Sequence, residues 1–344
     1  KFELGGYAEA AYGNYNEIEL KGGINVPLSE QFALRLVGGY HKRDGFVRDV
    51  NADRRFNNLD RYFVRGQALY ENEALTVRLI ADYSKTDEEC CIGIHTSPGT
   101  TGPAVNFLAS LAGLQGIISP NPRENRRVAI SPNRNLGEKV KDWGFSGQID
   151  YDFGGVNLTS ITAYRDWRAL RGQDIDFSGL DRAYRDGYKT TMRDFSQEVR
   201  LQGTAFNEKL DFLVGGSYLN ERLTLRDTVR YGTQADQYVD ALLSASTAGL
   251  SPFAPNGFSL FGSLPGRPFI GNAFLADPTV QALIAQNPAL LAQFQTPIAS
   301  SVGGGQFSDN WRVKTEAIGL FTHNIINFSD RLSLTLGLRF NHEK

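Results

Sequence analysis

Apolar and polar residues alternate along much of this chain, in stretches of about eleven to fourteen residues. Around positions 142–153, for example, Phe145 and Ile149 share one parity, whereas Gln148 and Asp150 share the other. Successive side chains of a β-strand point to opposite faces of the sheet, so each such stretch predicts a strand with one apolar and one polar face. These stretches are longer than a usual soluble strand and long enough to cross a bilayer at a tilt.

The same pattern recurs from one end of the chain to the other and predicts eleven strands. They lie at roughly residues 2–12, 15–26, 31–42, 59–70, 74–86, 142–153, 156–168, 190–203, 209–222, 312–326 and 331–342. Alternation alone would also fit a soluble β-sandwich. Because of the strand lengths and the connections between strands, we expect an all-β fold, a transmembrane antiparallel β-barrel.

The connections between the predicted strands are alternately short and long. The short ones carry Gly, Pro, Asn, Asp or Ser, which favour tight turns, and lie at 27–30, 71–73, 154–155, 204–208 and 327–330. At the opposite ends of the predicted strands, the first connection, at Gly13 and Asn14, is tight. The other connections at these ends are long, at 43–58, 87–141, 169–189 and 223–311. Membrane barrels combine short periplasmic turns with long extracellular loops, so we expect the long connections to be extracellular.

Short helices are predicted inside the two longest loops. Asp277-Pro278 and Asn287-Pro288 each place a capping residue before a proline, which is a signal for the start of a helix. The segment 103–114 is a weaker candidate. We expect these helices to pack on other loops over the barrel mouth, with substrate gating or contact with a surface partner as the alternative.

Composition and charge narrow the function classes. The formal net charge is −2, which gives no reason to expect binding to nucleic acid. The chain has four His residues, scattered along the sequence, and no nucleophile elbow, phosphate-binding loop or metalloprotease motif. We therefore expect a protein that is not an enzyme and that carries no cofactor.

The polar parity of the strands supplies charged side chains for the inside of a barrel. Charges of both signs are costly unless they are paired or hydrated, and a water-filled lumen that holds a polar plug would meet that need. Direct contact with a substrate is the alternative for any one of them. The residues predicted to face the lumen or plug are Arg35, Arg65, Arg78, Gln148, Asp150, Glu198, Arg200 and Arg339.

The only two cysteines, Cys90 and Cys91, are adjacent and follow an acidic tract. An exported protein meets an oxidising compartment, so we expect a disulfide, either between the two or with a segment outside this chain. Free thiols are a second possibility. A metal site formed with His95 and nearby carboxylates is a third, although no known ligand spacing is present and we predict no metal.

Three separated motifs carry a family resemblance. Residues 13–46 (GNYNEIELKGGINVPLSEQFALRLVGGYHKRDGF) resemble the first barrel strands of TonB-dependent outer-membrane receptors. Residues 194–203 (DFSQEVRLQG) and 334–344 (LTLGLRFNHEK) are similar to later strands of the same family. The resemblance implies a 22-strand barrel with an N-terminal plug domain and a TonB box. We expect neither the plug domain nor the TonB box within residues 1–344. Residues 1–344 are therefore expected to form about the first half of the barrel, with plug and remaining strands elsewhere.

The resemblance also implies a location and partners. We expect the cell outer membrane of a Gram-negative bacterium, contact with its lipid, and the TonB complex as a partner through an absent N-terminal segment. The expected function is active uptake of a scarce nutrient, first a ferric siderophore. A passive porin-like channel, or uptake of an oligosaccharide or aromatic compound, is the alternative.

Aromatic and basic residues at the outer strand ends are the candidate substrate contacts. An Arg side chain suits anionic oxygen acceptors such as carboxylates or catecholates, and an aromatic ring suits a sugar or another ring. Loops and strand ends held on a rigid scaffold often carry recognition. The candidates are Trp167, Arg168, Arg171, Tyr184 and Arg185.

Overall fold

A computed structural model describes residues 2–118, 126–250, 254–271, 275, 278–289, 291 and 301–344. Most of this part of the chain is extended and forms fourteen strands. They are β1 (Gly5–Gly13), β2 (Glu17–Pro27), β3 (Phe32–Arg43), β4 (Val47–Asp49), β5 (Arg55–Phe56), β6 (Leu59–Glu71), β7 (Leu75–Glu89), β8 (Arg127–Val128), β9 (Gly137–Asp152), β10 (Val156–Asp174), β11 (Ala183–Ala205), β12 (Leu210–Tyr231), β13 (Gln306–Ser329) and β14 (Leu332–Glu343).

Eleven strands form one antiparallel sheet, in the order β1-β2-β3-β6-β7-β9-β10-β11-β12-β13-β14. Each strand pairs with the next long strand along the chain, as in a sheet that closes into an up-and-down barrel. The prediction of an antiparallel barrel sheet and of its eleven strands is confirmed. We call the edge that carries the short turns the lower rim and the opposite edge the upper rim.

Several strands continue beyond their predicted upper ends. β10 reaches Asp174 and β11 begins at Ala183, so the predicted loop 169–189 is wrong and only 175–182 connects the two strands. β12 and β13 are extended in the same way, to Tyr231 and from Gln306. Above a bilayer both faces of a strand are wet, so backbone pairing continues after the alternation of apolar and polar residues has ended.

The pairing register aligns the apolar parities of all eleven strands on one face. Directly opposite residues of an antiparallel pair lie on the same side of the sheet. One such row runs through Ile24, Leu36, Gly66, Ala81 and Phe145. We call this side the apolar face and the other the polar face. In a transmembrane barrel the apolar face contacts lipid and the polar face lines the interior.

A row of aromatic side chains marks the upper part of the apolar face. Neighbouring rings contact one another, with centroids 5.9 Å apart for Tyr62 and Tyr83 and 5.4 Å apart for Trp143 and Tyr164. Such a girdle is typical of the membrane interface of a barrel. The full aromatic row is Tyr40, Tyr62, Tyr83, Trp143, Tyr164, Phe195 and Tyr218.

At the lower rim, the turn between β9 and β10 shows how tightly the strands are joined. Gly154 and Gly155 have φ values of 84° and 110°, which glycine adopts more easily than other residues. The Asp152 side chain accepts hydrogen bonds from both glycine N–H groups, at 2.8 and 3.2 Å. The turn therefore needs both its glycines and the preceding aspartate.

The upper connections fold into a cap with apolar cores of its own. β5, β4 and β8 form a small sheet. One core consists of Val47, Phe56, Val128, Ile130 and Leu136, and a second of Val105, Leu108, Leu180 and Leu264. These clusters are buried like the interior of a soluble domain, in contrast to the large sheet.

Among the described residues, the upper connections contain three helices with given bounds: α1 (Gly102–Leu111), α2 (Ala235–Thr247) and α3 (Pro278–Gln286). α1 and α3 confirm the predicted helices at 103–114 and after Pro278, whereas the Asp277 cap lies outside the described residues. Most of the helix predicted after Pro288 also lies outside them. The periodicity of the sequence gave no indication of α2. No helix of the described ranges is both long and apolar enough to cross a membrane.

Candidate ligand-binding mouth and lumen wall

The polar face forms a concave wall below the cap. A hollow of about 900 Å³ lies against β2, β3, β6, β7, β9 and β10. Charged residues on its surface include Arg35, Arg65, Arg78, Asp82 and Arg165. The wall is therefore polar and wet, as expected for a barrel interior.

The charges of this wall are organised around Asp82. Its carboxylate lies 3.1 Å from the Arg165 guanidinium and 3.6 Å from that of Arg65. Arg165 also donates to Asp142 at 2.7 Å. Arg165 can cross β9 to reach Asp82 because the intervening residue is Gly144, where a Cβ would lie only 3.3 Å from the Arg165 guanidinium. The network fixes guanidinium groups on the wall and leaves Arg35 and Arg78 outside it.

All eight residues predicted to face the lumen lie on the polar face. Several are held by neighbours: Gln148 donates to Asp150 at 2.7 Å, and Arg200 lies 3.6 Å from Glu198. Their contact with a plug or a substrate stays a prediction. Besides Gln148, Asp150, Glu198 and Arg200, the eight comprise Arg35, Arg65, Arg78 and Arg339.

Above this wall, a smaller site surrounds the two cysteines. The Sγ atoms of Cys90 and Cys91 are bonded to each other. A carboxylate oxygen of Glu138 lies 2.8 Å from Sγ of Cys90, and the other oxygen accepts a hydrogen bond from Arg171. Metal binding by cysteine requires thiolates, so a metal ion at Cys90, Cys91 and Glu138 would require the disulfide to be reduced first. His95 is not part of this cluster: its ring nitrogen Nε2 lies 3.2 Å from the Asp176 carbonyl oxygen.

Two of the predicted substrate contacts meet at this site. Arg171 and Arg185 line a cavity of about 150 Å³ together with Glu138, Tyr188 and the disulfide. Arg185 lies 5.0 Å from the Tyr188 ring and donates to Gln173 at 2.8 Å. We call this arrangement the mouth site. It presents two cations and one aromatic ring toward the barrel interior, a combination that suits an anionic oxygen ligand with a planar group.

The other three candidates differ in position. Tyr184 lines a neighbouring cavity of about 320 Å³ together with Arg171 and Arg185, and the Arg134 guanidinium lies 3.6 Å from its ring centroid. Trp167 lies on the polar face of β10, nearer the membrane than Arg171. Arg168 lies on the apolar face and points away from the lumen. The structure therefore does not place it with the other candidates.

Sequence reasoning missed Glu138, Tyr188 and Arg134. Tyr188 lies directly opposite Arg171, and Glu138 lies opposite Arg171 on the other side. Only the register between strands brings these residues together, because Glu138, Arg171 and Tyr188 lie on three different strands, β9, β10 and β11. Alternation predicts parity within one strand and does not specify which residues of other strands lie opposite.

Buried carboxylates hold the connections around the mouth site. Burial, reinforced by the charge of Asp176, raises the pKa of Asp174 to about 7. Asp181 is also buried, but hydrogen bonds from Arg134 and Thr233 outweigh that desolvation and lower its pKa. The two carboxyls therefore respond to pH in different ranges.

Comparison with known proteins gave matches among solved structures only: no family model matches the chain, and no curated protein does. The ferric yersiniabactin uptake receptor FyuA of Yersinia pestis covers 99% of this chain at 11% identity, with a TM-score of 0.58. The siderophore receptor PiuA of Acinetobacter baumannii covers 100% at 15% identity, with a TM-score of 0.56. The ferric-catecholate import receptor Fiu of E. coli covers 100% at 11% identity, also with a TM-score of 0.56.

These similarities extend over essentially the whole chain. The chain has the fold of part of a TonB-dependent receptor barrel. It spans 39% of the matched FyuA chain, 43% of PiuA and 45% of Fiu. At these identities the likeness establishes the barrel fold, and the activity of a whole transporter is a matter for proposal.

Proposed function

We propose that this chain forms part of the barrel of an outer-membrane TonB-dependent transporter that takes up a siderophore-type iron complex. The observation that carries the proposal is the whole-chain match to barrels of siderophore receptors. The polar wall and the mouth site supply a route and a first contact for such a ligand. The partners are then outer-membrane lipid, the TonB complex through a segment outside this chain, and the nutrient ligand.

The mouth site supports an anionic oxygen-rich ligand. Arg171 is 43% exposed and Arg185 31% exposed, so both guanidinium groups remain accessible although they are paired with Glu138 and Asp227. A ligand carboxylate or catecholate could share these cations, since charge-assisted hydrogen bonds are about twice as strong as neutral ones. Tyr188 would contact the flat part of the ligand.

Energised uptake is tested in iron-limited cells that carry the full-length gene, with a panel of labelled ferric siderophores. We expect uptake of at least one complex, and its loss when the TonB complex is removed or the proton gradient is dissipated. Uptake that continues without energy, together with ion conductance in planar bilayers, would replace the proposal with a passive channel. Energised uptake of only an oligosaccharide or an aromatic compound would keep the transporter and change the ligand.

The contribution of the mouth site is tested by binding to the full-length protein in detergent. Replacing Arg171 and Glu138 together by Gln removes the cation without leaving its carboxylate partner unpaired, and Arg185→Gln tests the second cation. Each lost charged hydrogen bond is expected to weaken binding by about 1.5–3 kcal/mol. Lys209→Gln, at the lower rim, is the matched control and should bind normally. Equal affinity in all variants would remove the ligand from this site.

A further inference from the structure

The bridge between Cys90 and Cys91 joins neighbouring residues, so it closes no loop of the chain. A disulfide stabilises a fold mainly by restricting the unfolded chain, and this effect grows with the number of residues in the closed loop. The bridge therefore adds little to the stability of the barrel or of the cap. What distinguishes this pair of residues is its chemistry in the oxidised and the reduced state.

Glu138 contacts the two sulfurs in a way that the disulfide alone does not explain. Its Oε1 atom accepts a hydrogen bond from Arg171, whereas its Oε2 atom lies 2.8 Å from Sγ of Cys90 and 3.9 Å from Sγ of Cys91. A disulfide sulfur carries no hydrogen, so neither cysteine donates to Oε2 in the oxidised state. The Glu138 side chain is only 14% exposed. One oxygen of a largely buried carboxylate thus points at two sulfur atoms that cannot donate to it.

Reduction of the bridge changes what these three residues can bind. The Sγ atoms of Cys90 and Cys91 and a carboxylate oxygen of Glu138 lie within 4.8 Å of one another. Two thiolates and one carboxylate form a ligand set for Zn²⁺ or Cd²⁺, which accept sulfur and oxygen ligands together. Hard cations such as Mg²⁺ and Ca²⁺ need oxygen ligands instead. Water can fill the fourth position of a tetrahedral ion.

The charges around the pair match a divalent cation. With both thiols deprotonated, Cys90, Cys91 and Glu138 carry three negative charges. Arg171, which is paired with Glu138, contributes one positive charge. The remaining two negative charges equal the charge of one Zn²⁺ ion. Arg185, the other cation of the mouth site, has a carboxylate partner of its own at 2.8 Å and adds no uncompensated charge.

The two cysteines are accessible from the mouth site. Cys91 is exposed and Cys90 is partly exposed. Both line the cavity of about 150 Å³ that also contains Glu138 and Arg171. This volume admits a cation together with a water molecule in its open position. A small thiol can approach Cys91 from solvent, and exposed bridges are among those that thiols reduce most readily.

We propose that Cys90, Cys91 and Glu138 form a redox-gated binding site for a thiophilic divalent cation of the zinc class. Two molecules of a small thiol supply two electrons and two protons. The bond between Cys90 and Cys91 then breaks, and the two thiol molecules are oxidised to a disulfide of their own. The cation replaces the two cysteine protons, which pass to solvent, and Oε2 of Glu138 provides the third ligand. The oxidised pair does not bind the cation, because cysteine binds metals as thiolate.

The test uses the full-length protein in detergent with Cd²⁺ alone as the probe, because thiolate–cadmium bonds absorb ultraviolet light. One sample is kept oxidised, and another is reduced with dithiothreitol and separated from it by anaerobic gel filtration. We expect reduction to release the thiols of Cys90 and Cys91 and to create one Cd²⁺ site with thiolate–cadmium absorption. Excess Zn²⁺ should compete for this site, whereas Mg²⁺ and Ca²⁺ should not. Cys90→Ser with Cys91→Ser, treated in the same way, should lack the site.

Glu138→Gln tests the carboxylate while both thiols stay in place. Cd²⁺ binding to the reduced protein should weaken by at least about tenfold, since even the loss of an outer partner of a metal site costs about 10–100-fold. Glu316→Gln is the matched control. It removes a carboxylate that is also paired with a cation, Lys314 at 2.7 Å, on β13, four strands away from β9. This control should bind Cd²⁺ as the wild type does.

Several outcomes would overturn the proposal. They are a bridge that dithiothreitol does not open, equal Cd²⁺ binding by the oxidised and reduced wild type, persistence of the site in the double serine variant, and unchanged affinity in Glu138→Gln. The comparison of the oxidised with the reduced wild type needs no substitution, so it decides the question even where a variant fails to fold. None of these readouts depends on nutrient uptake, and the site is therefore tested separately from the transport function.

Discussion

The sheet and the cap of this molecule stabilise themselves in different ways. Within the sheet, large apolar residues such as Leu36 and Leu338 are 53% and 73% exposed when the protein is considered without lipid. In the cap, Phe56 and Ile130 are completely buried. The sheet leaves its apolar face for lipid to cover, whereas the cap meets water and must build its own core.

Polar groups differ between the two regions in the same way. On the sheet, most backbone groups pair with neighbouring strands. In the cap, buried aspartates take over that role: Asp240 accepts hydrogen bonds from the N–H groups of Leu260 (2.6 Å), Phe261 (3.0 Å) and Ser263 (2.8 Å). A loop without regular pairing needs such acceptors because unpaired buried backbone groups are costly. The cap should therefore depend on a few carboxylates.

The largest effect is expected from Asp181→Ala in the cap. Asp181 accepts hydrogen bonds from the Arg134 side chain at 2.6 Å and the Thr233 N–H at 2.9 Å. Removing one partner of a buried ion pair costs about 3–5 kcal/mol. The cap should thus be cleaved more than a hundredfold faster in native-state proteolysis, while the sheet melts unchanged. Asp186→Ala, which removes a 61% exposed aspartate nearby, is the control and should have almost no effect.

The second effect tests the sheet. Leu336 and Thr335 are neighbours on β14 that belong to opposite faces. Leu336→Arg places a charge in lipid and should cost about 2–4 kcal/mol near the bilayer midplane, whereas Thr335→Arg faces the interior and should cost much less. The measurement is the free energy of folding of the full-length protein into lipid vesicles. Equal costs would mean that the faces are assigned incorrectly.

The sheet was predictable from the sequence because lipid imposes the alternation that defines its strands. Prediction failed where that constraint ends: β11 begins at Ala183 rather than near 190, and β12 ends at Tyr231 rather than near 222. The cap and the mouth site follow from contacts between distant segments, such as Arg54 with the carbonyl groups of Ser131 and Arg134. The alternation of apolar and polar residues along the sequence does not predict such contacts.

A third prediction concerns pH and separates the cap from the sheet. The pKa of Asp174 is raised to about 7, so the folded cap favours the protonated form. Its stability should fall as the pH rises from about 4 to about 7, and Asp174→Asn should remove that dependence. The low pKa of Asp181 acts in more acidic solution, outside this window. Proteolysis rates of the cap at pH 5 and pH 8 provide the measurement; identical pH dependence in the variant would contradict it.

The smallest effect on the sheet is expected from the cysteines. The bond between Cys90 and Cys91 closes no long loop, so Cys90→Ser with Cys91→Ser should disturb only the mouth site. Barrel melting should be nearly unchanged, and ligand affinity should fall if the site is used. Thiol counting by mass spectrometry checks the starting state: two free thiols in protein isolated from the outer membrane would contradict a bridge.

Hydrogen exchange of the full-length protein in lipid vesicles, followed as urea is raised, tests most directly whether the cap and the sheet are separate structures. We predict that amides of the cap segments 44–58, 126–136 and 175–182 lose protection together at low urea, while strands β2, β3, β6, β7 and β9 to β13 of the large sheet stay protected. Simultaneous loss of protection in both regions would contradict the account, because the cap core would then have no stability apart from the barrel.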